Sequence, residues 1–157
     1  MDTYAVDGLK SEQIHYLYAP THLNPTYEYG VSFERGTYVD YGDRRQVFIS
    51  GTASINNKGE VVYPGDLKQT ERMWENVEAL LKEAGCTFDD LGQMIVYLRD
   101  VADYTVVKGM YDERFSGYSE SVCICSRMSS GLADRDGMYG SQVFRKQRVC
   151  SILIFYF

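Results

Sequence analysis

The sequence predicts an α+β domain, a mixed β-sheet with two helices packed on one face. Three observations carry this. Gln46–Ser50 is a short apolar, β-branched and aromatic run closed by Gly51, as a buried strand requires. A sharply punctuated helical pattern follows over Asp66–Gly85. A second apolar run, Met94–Leu98, then leads into another helical pattern over Asp103–Phe115. Two strand–helix crossovers in succession imply helices laid on one face of a sheet.

The segment before Gln46 is mixed. His15–Ala19 has the character of a short strand, and Thr21–Pro25 reads as a turn or loop. Gly30–Phe33 and Gly36–Tyr41 alternate or carry β-branched residues, and are expected to pair as strands. After Gly51, Asn56-Asn57-Lys58-Gly59 is a turn signal, and Val61–Tyr63 is expected to resume extended structure before Pro64-Gly65.

The first helix has both ends marked. Asp66 is a suitable N-cap, and Gln69 three residues later completes a capping-box pattern. Met73, Val77, Leu80, Leu81 and Ala84 recur at three- and four-residue steps, which places them on one face. Lys68, Glu71, Arg72, Glu75, Lys82 and Glu83 occupy the other side. Gly85 can take the left-handed conformation that closes a helix. Phe88-Asp89-Asp90-Leu91 is a turn into the buried strand Met94–Leu98. Asp100 and Asp103 are available to cap the second helix, where Tyr104, Val107, Tyr111 and Phe115 stand at helical spacing.

Composition narrows the function classes. At 157 residues, with 45% hydrophobic and 24% charged residues, the chain is expected to form one domain with a single core. A net charge of −6 argues against a general phosphate-binding surface, which disfavours nucleic acid as a partner. The start lacks the pattern of a signal peptide, and no apolar run reaches membrane-spanning length. A cytoplasmic location without a membrane partner is the expectation. Cys86, Cys123, Cys125 and Cys150 fit no zinc or redox spacing, and the two histidines, His15 and His22, cannot build a His-rich site. No metal and no cofactor are expected. The 14 tyrosines suit a subunit interface or a ligand pocket, and equally suit half-buried strand positions.

The stretch from Phe48 to Phe115 resembles one known family. The matching pieces are Ser50-Gly51 closing a strand, Gly59 in the next turn, and Asp66 with Gln69-Thr70 opening the first helix. Asn76 within that helix, Ala84-Gly85 at its end, Val96-Tyr97-Leu98 with Asp100, and the helix Asp103–Phe115 complete them. Their order and spacing resemble the Rid family, also called RidA, YjgF or L-PSP proteins. Ser50-Gly51-Thr52-Ala53-Ser54 is also similar to its chorismatase-like branch. The resemblance implies a chorismate-mutase-like fold, a homotrimer with ligand pockets between subunits, and hydrolysis of reactive imines or enamines to 2-oxo acids and ammonia. Older members carry endoribonuclease or translation-inhibitor labels.

That chemistry needs an arginine to hold the substrate carboxylate, polar groups to place a water, and an acid to supply a proton. In the family the arginine comes from the strand after the second helix, and the acid from the last strand. Here Ser116–Ser121 shows no Pro-x-Arg, and Val149–Phe157 contains no acid. Lys108 replaces an asparagine expected in the second helix. The resemblance leaves Ser50, Gly51, Thr52, Tyr97, Lys108 and Tyr27 (or Tyr29 in its place) as candidate substrate-binding residues. No catalytic residue is assigned.

Residues 1–115 therefore read as a Rid-like core with an N-terminal extension, and 116–157 as an aberrant tail, partly disordered or irregular. Degenerate codons for Ser116 onward, read one nucleotide later, permit P-D-T-P-K. Those for Met128 through Met138 permit C-R-P-G-W-L-I-E-M-E-C. Both strings are what the family carries, so the tail is read as frameshifted, the alternative being a divergent tail. Val122–Cys125 is available for the missing strand. Val149–Phe157, uncharged and β-prone, must pair or become an aggregation segment. Three functions compete: an imine or enamine deaminase impaired in this chain, a non-catalytic module binding a small carboxylate, and an L-PSP-type endoribonuclease or translation inhibitor.

Overall fold

The computed structural model describes residues 5–30, 32–63, 67–98, 100–116, 120–124 and 148–155. In chain order the elements are β1 (Ile14–Leu17), β2 (Gly36–Asp40), β3 (Arg45–Thr52), α1 (Leu67–Glu83), β4 (Leu91–Leu98), α2 (Tyr104–Arg114), β5 (Glu120–Ile124) and β6 (Arg148–Phe155). The strands form one sheet in the order β1-β2-β3-β6-β4-β5. β1, β2 and β3 run as an antiparallel meander, and β6 is parallel to both β3 and β4. β5 is parallel to β4 at the edge. This is the mixed α+β sheet that the strand–helix alternation predicts.

The helix α1 forms because its apolar residues share one stripe, and burial of that stripe supplies most of its stability. Met73, Val77, Leu80, Leu81 and Ala84 are all fully buried, against Val47, Ile49, Met94 and Val96 in one core. Each of these side chains other than Ala84 contributes roughly 1.5–3 kcal/mol of transfer free energy. The buried arc is wider than the apolar stripe, since Gln69, Thr70, Trp74 and Asn76 are buried too. Gly85, at φ +67°, closes the helix. Its N–H donates to the Lys82 carbonyl, and the Cys86 N–H donates to Leu81, the pair of bonds of a Schellman end. The proposed cap Asp66 and the Pro64-Gly65 turn lie outside the described residues.

In α2, Val107 and Tyr111 are buried with Phe115 just beyond the helix, while Tyr104, which opens it, stays 40% exposed. Trp74 of α1 meets Tyr111 and Phe115 edge-on, with centroids 5.1 and 5.6 Å apart, which locks the two helices together. Asp100 caps a single 3-10 turn by accepting the Ala102 N–H, whereas Asp103 makes no side-chain cap.

Three strand expectations need correction. The described residues of Gly30–Phe33 form no strand. Gly30 instead closes a 3-10 turn (Thr26–Tyr29) at φ +65°, and the described residues 32–34 are irregular. Its short alternation lacked a neighbour, because β2 already pairs with β1 on one side and β3 on the other. Val61–Tyr63 provides only an isolated bridge, Ile55 to Val61, across the Asn56–Gly59 turn. β4 begins at Leu91, three residues earlier than Met94, directly from the 3-10 turn Phe88–Asp90.

The segment after Phe115 contributes both remaining strands. β5 overlaps Val122–Cys125, and β6 opens at Arg148 and fills the slot between β3 and β4. Its sequence is the near-continuous apolar run of a central parallel strand, and its backbone is paired on both sides. The loop expected over Ser126–Arg148 lies, apart from Arg148, outside the described residues.

Candidate functional site

Ser50, Gly51 and Thr52 sit on a bulge at the carboxyl end of β3. Ile49 pairs with Ile152 and Thr52 with Ile154, so three steps along β3 match two along β6. Such an extra residue re-aims the local backbone and is common beside binding sites. Ser50 is tied down by β2's approach: its N–H donates to the Arg35 carbonyl at 3.0 Å, and its hydroxyl donates to the Glu34 carbonyl. Thr52 is buried, and its hydroxyl donates to the Ser50 carbonyl at 3.0 Å, closing the bulge on itself.

Tyr97 lies at the same end of the sheet. It pairs with Phe155 of β6, one step beyond Val96, which shares Ile154 with Thr52. Two strand spacings put β3 and β4 about 10 Å apart there. The carboxyl ends of parallel strands are where open α/β sheets place ligands, so this end is the candidate site. Tyr97 is half-buried.

Tyr27 and Lys108 arrive by other routes. Tyr27 lies on the Thr26–Tyr29 turn and is 77% exposed; the side chain of Tyr29 is outside the described set. Lys108 is on α2 and forms an ion pair with Asp112 one turn later, so its charge is already partly met within its own helix.

The residues that hold the Tyr27 turn were not legible as functional. Arg35 is only 4% exposed, and its guanidinium donates to Asn24 three times: Nε and Nη2 to the carbonyl at 3.2 and 2.8 Å, and Nη2 to Oδ1 at 2.9 Å. Asn24 Nδ2 in turn donates to Glu28 Oε2. Upstream, Glu83 Oε2 accepts the N–H groups of Tyr18 and Ala19 at 3.1 and 2.7 Å, which holds Ala19 at φ +44°. Apart from Asn24–Glu28, four residues apart, no local sequence pattern marks these contacts, since they join residues 11 to 65 apart.

Asn76 supports the bulge from below. Its Nδ2 donates to the carbonyls of Ala53 and Ile55 at 3.0 and 2.9 Å, just past Thr52. Among the described residues no group of three His, Cys, Asp or Glu is placed to hold a metal ion, and Cys86 is a buried thiol whose Sγ donates to the Ala84 carbonyl at 3.6 Å. None of the helices searched is long and apolar enough to cross a membrane.

The family model for endoribonuclease L-PSP matches residues 33–130, which contain the bulge, both helices and β5. The chain belongs to this family. A RutC family protein of Pyrococcus abyssi is 36% identical over 70 residues, which make up 44% of this chain and 55% of that protein. The chain thus spans about half the length of the curated relatives it matches. Among solved structures, the YjgF gene product of E. coli is 23% identical with a TM-score of 0.58, covering 74% of this chain and 89% of its own. E. coli TdcF with bound serine is 25% identical with a TM-score of 0.55 over the same shares, 74% and 89%. The Rid resemblance and the Rid fold both stand.

Proposed function

We propose that the chain carries a Rid-type pocket for a small carboxylate and lacks the charges that make such a pocket an imine deaminase. The observation that carries this is the sequence of the two strands from the tail. β5, Glu-Ser-Val-Cys-Ile, is the strand after the second helix, from which the family draws its arginine, and its sequence contains none. β6, Arg-Val-Cys-Ser-Ile-Leu-Ile-Phe, holds the position of the acid-bearing strand and has no acid. A 2-imino acid held without a bidentate clamp loses the orientation that supplies much of the rate.

TdcF with bound serine supports a small amino or oxo acid as the ligand class. Ser50, Gly51, Thr52 and Tyr97 supply the polar wall, with Tyr27 at the rim and Lys108 as a distant, partly neutralised charge. Binding is therefore weak, on the order of millimolar. The test pairs two readouts: nuclear magnetic resonance titration with 2-oxobutanoate, and ammonia release from freshly generated 2-iminopropanoate. Perturbation of Ser50 and Tyr97 without ammonia release supports this reading. Saturation with no perturbation there sinks it.

The family's ribonuclease description supplies a second reading. A net charge of −6 weighs against it, because phosphate contacts need clustered cations. Cleavage of a single-stranded RNA that weakens with added salt would favour it.

The missing charges have a genetic explanation in this proposal. The chain after Phe115 is a frameshifted stretch of an ordinary Rid gene, and codons spelling the family strings one base later are the expected finding. The family's homotrimer, with its pockets between subunits, and a cytoplasmic setting belong to the same proposal. Light scattering showing a clean monomer would remove the trimer.

A further inference from the structure

We infer that Arg35 is a positioning residue that joins the two halves of the candidate pocket, Ser50 and the Tyr27 turn, into one mechanical unit. Its main chain holds Ser50: the Arg35 carbonyl accepts the Ser50 N–H at 3.0 Å, and the neighbouring Glu34 carbonyl accepts the Ser50 hydroxyl. Its side chain holds the turn: three N–H···O bonds run to Asn24, which is 2% exposed, and Asn24 reaches Glu28, the residue after Tyr27. One residue therefore fixes the serine through its backbone and the tyrosine-bearing turn through its guanidinium.

The chemistry favours a stiff link. A buried cation must keep its hydrogen bonds, because no water stands ready to replace them. A planar guanidinium that meets one residue with three donors also fixes an angle as well as a distance. Phe33 lies 5.3 Å from the same guanidinium, which limits its swing. Displacement at Ser50 is passed to Arg35 and then to Asn24, so the Tyr27 turn follows. Lysine, a single point donor, would hold charge at this place without holding the angle.

The ligand role of this link rests on the pocket reading above; the link itself does not. The test places 3-fluorotyrosine at position 27 of the full chain and reads its fluorine resonance. Without ligand, Ser50→Ala is expected to shift that resonance when Arg35 is present and to leave it unmoved in Arg35→Lys. A shift that survives Arg35→Lys, or no shift with Arg35 in place, overturns the inference. If Arg35→Lys does not fold, Asn24→Ala, which deletes the Oδ1 bond from Arg35 and the Nδ2 bond to Glu28 and so cuts the step to the turn, is read the same way. With 2-oxobutanoate as probe, Arg35→Lys is expected to lower the melting temperature and, read on the folded protein well below that transition, to weaken the fluorine-detected affinity about tenfold. A protein silent to the probe whose resonance still follows Ser50→Ala upholds the link and removes the pocket reading instead.

Discussion

Arg45 grips Asp40 with two parallel hydrogen bonds, Nε to Oδ1 at 2.7 Å and Nη2 to Oδ2 at 2.8 Å. The two residues face each other across β2 and β3. The third nitrogen, Nη1, donates to the Ala84 carbonyl at 2.6 Å, so the same guanidinium also meets the end of α1. A cation there satisfies an orphan carbonyl and complements the negative end of the helix. It lies 4.2 Å over the Tyr38 ring, which itself stacks on His15. One arginine thus ties the antiparallel meander to the helix layer.

This pair predicts acid sensitivity. The hydrogen bond from Arg45, aided by the charges of Arg45 and His15 and opposed by partial burial, holds the Asp40 carboxyl below its ordinary value of 3.8. A depressed folded-state value means that the stabilisation is complete above about 4 and is lost as pH falls through the folded-state value. Asp40 is 36% exposed, so solvent screening limits the effect to about 1 kcal/mol. Asp40→Asn is expected to melt lower than the native chain at pH 7, with the gap closing toward pH 2. A constant gap would show that the pair does not act through charge.

Asn76 predicts a larger loss. It is fully buried within α1, and Asn76→Ala would leave the Ala53 and Ile55 carbonyls without its two donors. The expected cost is about 2–3 kcal/mol, read by urea denaturation. Because those carbonyls follow the bulge, exchange at the amides of residues 50–55 should rise more than at β2. A cost under 0.5 kcal/mol, on the order of an ordinary surface change, would contradict the supporting role.

Gly59 has two reasons to be glycine. Its φ is +76°, and a Cβ there would stand 2.7 Å from Asn24 Nδ2. Gly59→Ala is expected to cost about 1–2 kcal/mol from the backbone conformation alone. It should also displace Asn24 and loosen the Tyr27 turn, which faster cleavage by a protease between residues 24 and 30 would reveal. Equal cleavage rates would mean that Asn24 accommodates the methyl group.

The sequence makes α1 legible because its apolar stripe and Gly85 are local signals that packing then reinforces. The place of β6 is different. Nothing local in Val149–Phe155 says that it inserts between β3 and β4, and that slot is set by which neighbours need a partner. The site divides the same way. Ser50-Gly51-Thr52 stands out as a motif, but Arg35 and Asn24 look like ordinary polar residues of an irregular segment. Their role comes from burial and from contacts across the fold. Gly30–Phe33 fails for the converse reason, since alternation over four residues is satisfied by many conformations and β2, its expected partner, is already paired on both sides.

The most direct test is ammonia release from freshly generated 2-iminopropanoate by the folded, soluble chain, measured from pH 6 to pH 9. On the proposed reading, β5 lacks the arginine and β6 the acid that an imine deaminase needs, so release should match the uncatalysed background across the range. On the proposed frameshift, a version read one base later after Phe115 should gain turnover only in part, because its strand would carry lysine where the planar fork of arginine is wanted. Rapid, saturable release by the chain as it stands would contradict the account.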